Sequence, residues 1–276
     1  MELLILANDF DTQEKRFSNY FEEVEKKSLA DVLIDTDKDE NVLVDGERIE
    51  AWDAVYIDPE PKAFNYLRVL VEALGQKDIS CNLDPSSIFI LAKKPYLFSV
   101  MAERGVSIPD QVAISTEKGL TELEKDVDFP VVAKKYSSFE LAEAKIFEDF
   151  DNLKSFAEIS EHGKDFIMIQ EYSDEDIFDV LYIDGNLISL KLEESPWVAS
   201  ESTSVAKKYH SISTDQKETV EDAVSSLGTS ICQIRMKGNK VMDIDSSPDL
   251  EAFKEKSGKN IYGRISDMLK EGNEDE

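Results

Sequence analysis

The sequence predicts a mixed α/β (α+β) protein, and three observations carry that expectation. Across the first 85 residues, short apolar runs of strand length alternate with apolar residues at helical spacing. Beyond residue 173, strand-length runs follow one another through the turns Asp184-Gly185 and Lys237-Gly238-Asn239, the pattern of antiparallel hairpins. At 276 residues and 41% apolar content, the chain is long enough for two or three units with cores of their own.

In order along the chain, residues 3–6 read as a buried strand. Phe17, Tyr20, Phe21 and Val24 then recur at helical spacing after a possible cap at Thr12. Strands are expected at 32–34, 42–44 and 54–57, with Asp45-Gly46 as a turn. Phe64, Leu67, Val71 and Leu74 mark a helix that Gly75 would end. This βαβ-like order predicts a small open α/β domain over residues 1–85. Pro95 opens the next helix, with Leu97, Val100 and Met101 inward and Gly105 as its stop. A strand at 112–114, a helix after Thr116, strands at 131–134 and 144–147, a helix carrying Leu153, Phe156 and Ile159, and a strand at 166–170 complete a second unit, 86–172. The third, 173–270, has strands at 180–183, 187–192, 231–236 and 240–244 around a helix of Val220, Ala223, Val224 and Leu227. The acidic tail 271–276 is expected to be disordered.

A formal charge of −28, from 59 acidic and 31 basic residues, repels nucleic-acid phosphates and anionic lipid, and no basic patch offsets it. No window approaches about 18 consecutive apolar residues, and the start lacks a basic n-region, so the chain reads as cytoplasmic with neither membrane nor nucleic acid as a partner. Cys81 and Cys232 are far apart and in no metal-like spacing, and are expected as buried apolar residues. The segment Asp35-Thr36-Asp37-Lys38-Asp39 alternates acids as a calcium loop does. Glu40 stands where the sharp turn needs glycine and Gly46 where a bidentate glutamate belongs, so it reads as a solvated hairpin loop. The spread of carboxylates suits a halophilic surface in a salt-rich cytoplasm, with a dedicated basic partner as the alternative. On the first reading, screening relieves self-repulsion and the melting temperature climbs between low and molar KCl; thermal melts across that series check it.

Four separated stretches carry more specific chemistry. Val241-Met242-Asp243-Ile244-Asp245-Ser246-Ser247-Pro248-Asp249-Leu250-Glu251 places Asp243 and Asp245 on one face of a strand, where two adjacent carboxylates need solvent or a bridging cation. Phe129-Pro130-Val131-Val132-Ala133-Lys134 ends an apolar strand in a lysine. Ile169-Gln170-Glu171-Tyr172 closes another, and Lys94 stands just before the helix that Pro95 opens. In this order and spacing, over roughly residues 85–270, they resemble the ATP-grasp ligases, specifically the RimK-type carboxylate–amine ligases; Ser257-Gly258-Lys259-Asn260-Ile261 is similar to that subfamily too.

The resemblance implies an ATP-grasp fold preceded by a pre-ATP-grasp domain, with ATP and Mg²⁺ as cofactors. It implies Lys94 and Lys134 on the phosphates, Gln170, Glu171 and Tyr172 at adenine and ribose, and Asp243, Asp245 and Gln233 at Mg²⁺. Lys207 and Lys208 stand where the family has a basic substrate loop, although surface lysines look the same in sequence. No residue is singled out as catalytic. Three positions depart from the family. The stretch 135–144 has no glycine with which to fold over phosphates, Gln233 replaces an acidic metal ligand, and Asp179 stands near the place of a phosphate-contacting arginine. An active ligase would join a carboxylate to an amine of a small molecule or peptide through an acylphosphate. The alternatives are a nucleotide-binding pseudoenzyme acting through protein contacts and a structural subunit without nucleotide.

Overall fold

The computed structural model describes residues 1–7, 13–35, 42–59, 63–91, 93–115, 117–137, 140–157, 166–192 and 207–272. The cap at Thr12, residues 36–41 of the acidic loop, Thr116, Ile159, Ser138 and Phe139 of the glycine-free stretch, residues 202–206 and the tail beyond Gly272 lie outside them.

The first part of the chain runs β1 (Glu2–Leu6), α1 (Gln13–Phe17), β2 (Glu23–Lys27), β3 (Val32–Ile34), β4 (Val42–Val44), β5 (Glu47–Arg48), β6 (Ala54–Ile57), α2 (Phe64–Gly75) and β7 (Ser80–Cys81). Four of these strands form a parallel sheet in the order β2-β1-β6-β7, and β3, β4 and β5 form a small antiparallel sheet beside it. β1 is central and apolar on both faces because both are covered. Leu4 and Leu6 meet Leu67, Leu70, Val71 and Leu74 of α2, while Leu3 and Ile5 point the other way. The helix expected through Phe17, Tyr20, Phe21 and Val24 ends at Phe17, and Val24 lies in β2 opposite Leu3 of β1. A parallel ladder with the central strand outweighs the short helical pattern there, and Phe17 and Phe21 still reach one core. Gly75 is the last helical residue of α2 rather than its stop; the chain exits through Gln76 and turns at Asp78, where φ is 55°.

The second part comprises α3 (Pro85–Leu91), α4 (Lys94–Glu103), β8 (Gln111–Ile114), α5 (Glu117–Leu123), β9 (Val131–Ser137), β10 (Glu140–Phe147), α6 (Phe150–Ala157) and β11 (Phe166–Glu171). Its antiparallel sheet has the order β10-β9-β11-β8. Period two divides β9: Val131 and Ala133 join Leu120, Leu153 and Phe156 under α5 and α6, leaving Val132, Lys134 and Tyr136 on the opposite face.

The third part comprises β12 (Ile177–Ile183), β13 (Asn186–Leu192), β14 (Lys207–His210), α7 (Thr214–Leu227), β15 (Ile231–Lys237), β16 (Lys240–Asp245), α8 (Leu250–Ser257) and α9 (Ile261–Glu271). The five strands order as β14-β13-β12-β15-β16, all antiparallel. A capping box of Ser213 and Gln216 starts α7, and Gly228, at φ 66°, ends it. One face of this sheet, with Phe178, Val180, Cys232, Ile234 and Ile244, packs on α4 and α7. The other is divided: Leu181, Ile183 and Ile231 enter a core shared with Leu3, Ile5, Phe17, Tyr56 and the last two helices, whereas Asp179, Arg235 and Asp243 form a charged end. Cys232 is buried as expected and Cys81 partly so. No helix among the described residues is long and apolar enough to cross a membrane.

Candidate functional site

The charged end is built by register. Asp179 on β12 lies opposite Arg235 on β15, which lies opposite Asp243 on β16; one step along, Gln233 lies opposite Asp245. Arg235 grips Asp179 with Nε and Nη2 at 2.8 and 3.1 Å. Lys207 from β14 adds a second cation, Nζ 3.1 Å from Asp179 Oδ2. Asp179 is completely buried. Burial alone would raise its pKa, but Arg235 and Lys207 outweigh it and hold the carboxyl below the ordinary aspartate value. Lys207 is thus a buried partner of Asp179, unlike its exposed neighbour Lys208. Sequence cannot distinguish the two, because the partner is on another strand.

At the other end of the row, Lys94 and Lys134 converge from different elements. Lys94 Nζ lies 2.7 Å from Asp243 Oδ1 and 2.6 Å from the Ile244 carbonyl, and Lys134 Nζ donates to the Met242 carbonyl at 3.2 Å. Burial depresses the Lys134 pKa to about 8 against the opposing pull of Asp243. Asp243, pushed up by burial, is brought below its usual range by Lys94 and Lys134. These are the lysines and the carboxylate that sequence singled out, placed together.

Beside them lies a small apolar wall of Val132, Met242 and Tyr172. Gln170 is fully buried within β11, its amide donating to Gln111 Oε1 at 2.6 Å, and the Glu171 amide donates to the Asp110 carbonyl. Tyr172 is the first residue past the strand and the first whose backbone lies outside the ladder. Lys237 Nζ sits 5.0 Å from the centre of its ring. Glu171, expected at a ribose hydroxyl, carries an ion pair with Lys240. Arg235, Lys237, Lys240 and Tyr136 were not singled out as site residues. Arg235 was legible, standing two residues from Gln233 on the same strand face.

A divalent cation suited to ATP phosphates takes oxygen donors. Asp243, Asp245 and the Gln233 amide oxygen supply two carboxylates and one amide on adjacent strands. No group of three or more His, Cys, Asp or Glu that could hold a metal occurs among the described residues, so the amide must complete the set. This donor chemistry fits Mg²⁺ once two contacts exchange: Lys94 leaves Asp243, and Gln233 Oε1 releases the Asp249 amide it accepts at 3.1 Å. Asp245 Oδ1 accepts the Ser247 amide, and Ser247 Oγ reaches Asp58 at 2.8 Å, tying the Ser-Ser-Pro turn to the loop after β6. Glu251 holds Arg16 and the Tyr262 hydroxyl, joining α8 to α1 and α9.

The glycine-free stretch 135–144 is largely strand rather than loop. β9 continues to Ser137 and β10 resumes at Glu140, with Ala144 opposite Lys134 and a bulge between Leu141 and Glu143. Glu143 pairs with Lys145 at 2.5 Å.

No family profile matches the chain, and no curated protein matches it in sequence. Solved structures do match in three dimensions. The ATP-grasp ligase PsnB, complexed with a minimal precursor, Mg and ADP, superposes with a TM-score of 0.75 at 15% identity, covering 99% of this chain and 97% of that one. A RimK domain ATP-grasp protein from Sphaerobacter thermophilus gives 0.72 at 14% identity, covering 98% and 99%. D-alanine–D-alanine ligase from Bacillus anthracis, complexed with ATP, gives 0.68 at 15% identity, covering 99% and 97%. The chain has the ATP-grasp fold.

Proposed function

We propose that the chain binds an adenine nucleotide between the sheet of β8–β11 and the sheet of β12–β16 and acts as an ATP-dependent carboxylate–amine ligase of the RimK kind. The observation that carries this reading is the convergence of Lys94 and Lys134 on Asp243 beside the apolar wall of Val132, Met242 and Tyr172. Adenine fits the wall, with the Tyr172 backbone at its edge, and the lysines meet the phosphates. Ligation transfers the γ-phosphoryl group to a carboxylate oxygen and leaves ADP. The amine nitrogen then attacks the acyl carbon, phosphate departs, and the amine gives up a proton. Mg²⁺, when bound, supplies positive charge at the transferred group. Lys94 and Lys134 orient the phosphates and balance their charge. The precursor bound by PsnB favours a peptide as the substrate here.

A second reading, a nucleotide-binding module without transfer, is favoured by the glycine-free hairpin and by Gln233 in an acidic position. Calorimetric titration with ATP and ADP in Mg²⁺ separates the two, because transfer requires interactions gained by the reacting phosphoryl group. The ligase binds ATP more tightly than ADP by about tenfold, roughly 1.4 kcal/mol; the module shows no preference. In the same titration Lys134→Ala is expected to weaken nucleotide binding by about 1.5–3 kcal/mol, the range of a charge-assisted hydrogen bond. Unchanged affinity would place the nucleotide elsewhere.

A further inference from the structure

We propose that Arg235 is the cation that receives the nucleotide phosphates beyond the α-phosphate, with Asp179 and Lys207 as its positioning residues. This rests on the nucleotide reading above and adds a residue and a direction of approach to it.

The charges at this end of the sheet alternate: Lys207, Asp179, Arg235, Asp243, then Lys94 and Lys134. With Asp245 included, four cations meet three carboxylates. This row therefore carries excess positive charge in a chain whose formal charge is −28. Such a local excess attracts an anion. Arg235 is placed to meet it. Its Nε and Nη2 are fixed on Asp179, and Nη1 makes no hydrogen bond among the described residues. Lys207 supplies a second cation to Asp179, so that carboxylate is compensated without the whole charge of Arg235. A guanidinium held on one edge and open on another presents planar donors at fixed orientation, which suits phosphate oxygens better than a mobile ammonium.

A second observation points to the same ligand. The Tyr136 hydroxyl, on a residue only 1% exposed, has no hydrogen-bond partner among the described residues, and burial, with Asp243 adding to it, disfavours its ionisation. A buried hydroxyl left without a partner costs about 1–3 kcal/mol unless a ligand supplies one. Here it stands as a spare donor on the face of β9 that also carries Lys134.

Calorimetric titration of the full chain with AMP and with ADP, at one Mg²⁺ concentration, tests the assignment. Arg235→Met is expected to weaken ADP by about tenfold or more while AMP stays within about twofold. Arg235→Lys should recover part of the loss, because the charge remains and the fork does not. Lys207→Met and Tyr136→Phe, which leave Arg235 in place, should each weaken ADP selectively by about threefold or more; they keep the test open if Arg235→Met does not fold. Equal weakening of AMP and ADP in these variants, or unchanged ADP affinity in Arg235→Met, overturns the assignment while leaving the nucleotide reading intact. Absence of AMP and ADP binding by the unmodified chain removes both.

Discussion

Asp179→Ala is expected to cost about 3–5 kcal/mol of folding stability, because it leaves Arg235 and Lys207 facing each other in the interior without their shared carboxylate. The surface pair Lys191–Asp176 has a similar separation, 2.5 Å, but both side chains reach solvent; Asp176→Ala should cost no more than about 1 kcal/mol. Denaturant melts of the two variants side by side check this, and equal losses would show that burial of the triad does not matter. The pH dependence has a definite sign. The folded pKa of Asp179 is depressed, so its contribution is complete above the ordinary aspartate value and is lost as the pH falls through the lower folded value. Asp179→Asn should therefore lose its disadvantage relative to the parent chain in acid.

That triad shows where sequence stops being informative. The period of β12 and β15 made their inward residues legible, and the Asp243–Asp245 strand located the site end of the sheet. Register is a property of paired strands, however, and no local pattern states that residue 179 lies opposite residue 235 or that Lys207 is buried while Lys208 is not. Val24 failed for a related reason: a half-buried strand of Glu23-Val24-Glu25-Lys26-Lys27 has no distinctive alternation, and its partner β1 decides its state. The last two helices, by contrast, were legible and missed. Gly258 in the left-handed region, the Asn260 cap and the spacing of Ile261, Ile265 and Leu269 announce α9.

Phe17→Ala carries the other large expected effect, again about 3–5 kcal/mol, as for truncation of a buried aromatic ring. Phe17 is fully buried at the end of a five-residue helix that could not stand alone. Its ring meets Tyr56 of β6 at 5.2 Å and, edge-on, Tyr262 of α9 at 5.1 Å, so one side chain joins the first sheet to the last helix. The measured quantity is the midpoint of thermal or urea unfolding, accompanied by protease cleavage of α9. A loss below about 1 kcal/mol, the level of ordinary surface substitutions, would show that the two ends of the chain do not depend on each other.

The shared core also fixes an order in time. During synthesis, α2 follows β6 closely and can cover the Leu4 and Leu6 face of the first sheet as soon as that strand is made. The Leu3, Ile5 and Tyr56 face waits for Leu250, Phe253, Ile261 and Leu269, which are synthesised only after β7 to β16. Until then the nascent chain carries an uncovered apolar sheet face, the kind of surface that chaperones shield and that aggregates when they do not. A chain released before α9 is made thus presents a half-covered first sheet to the cell rather than a folded domain lacking only its tail.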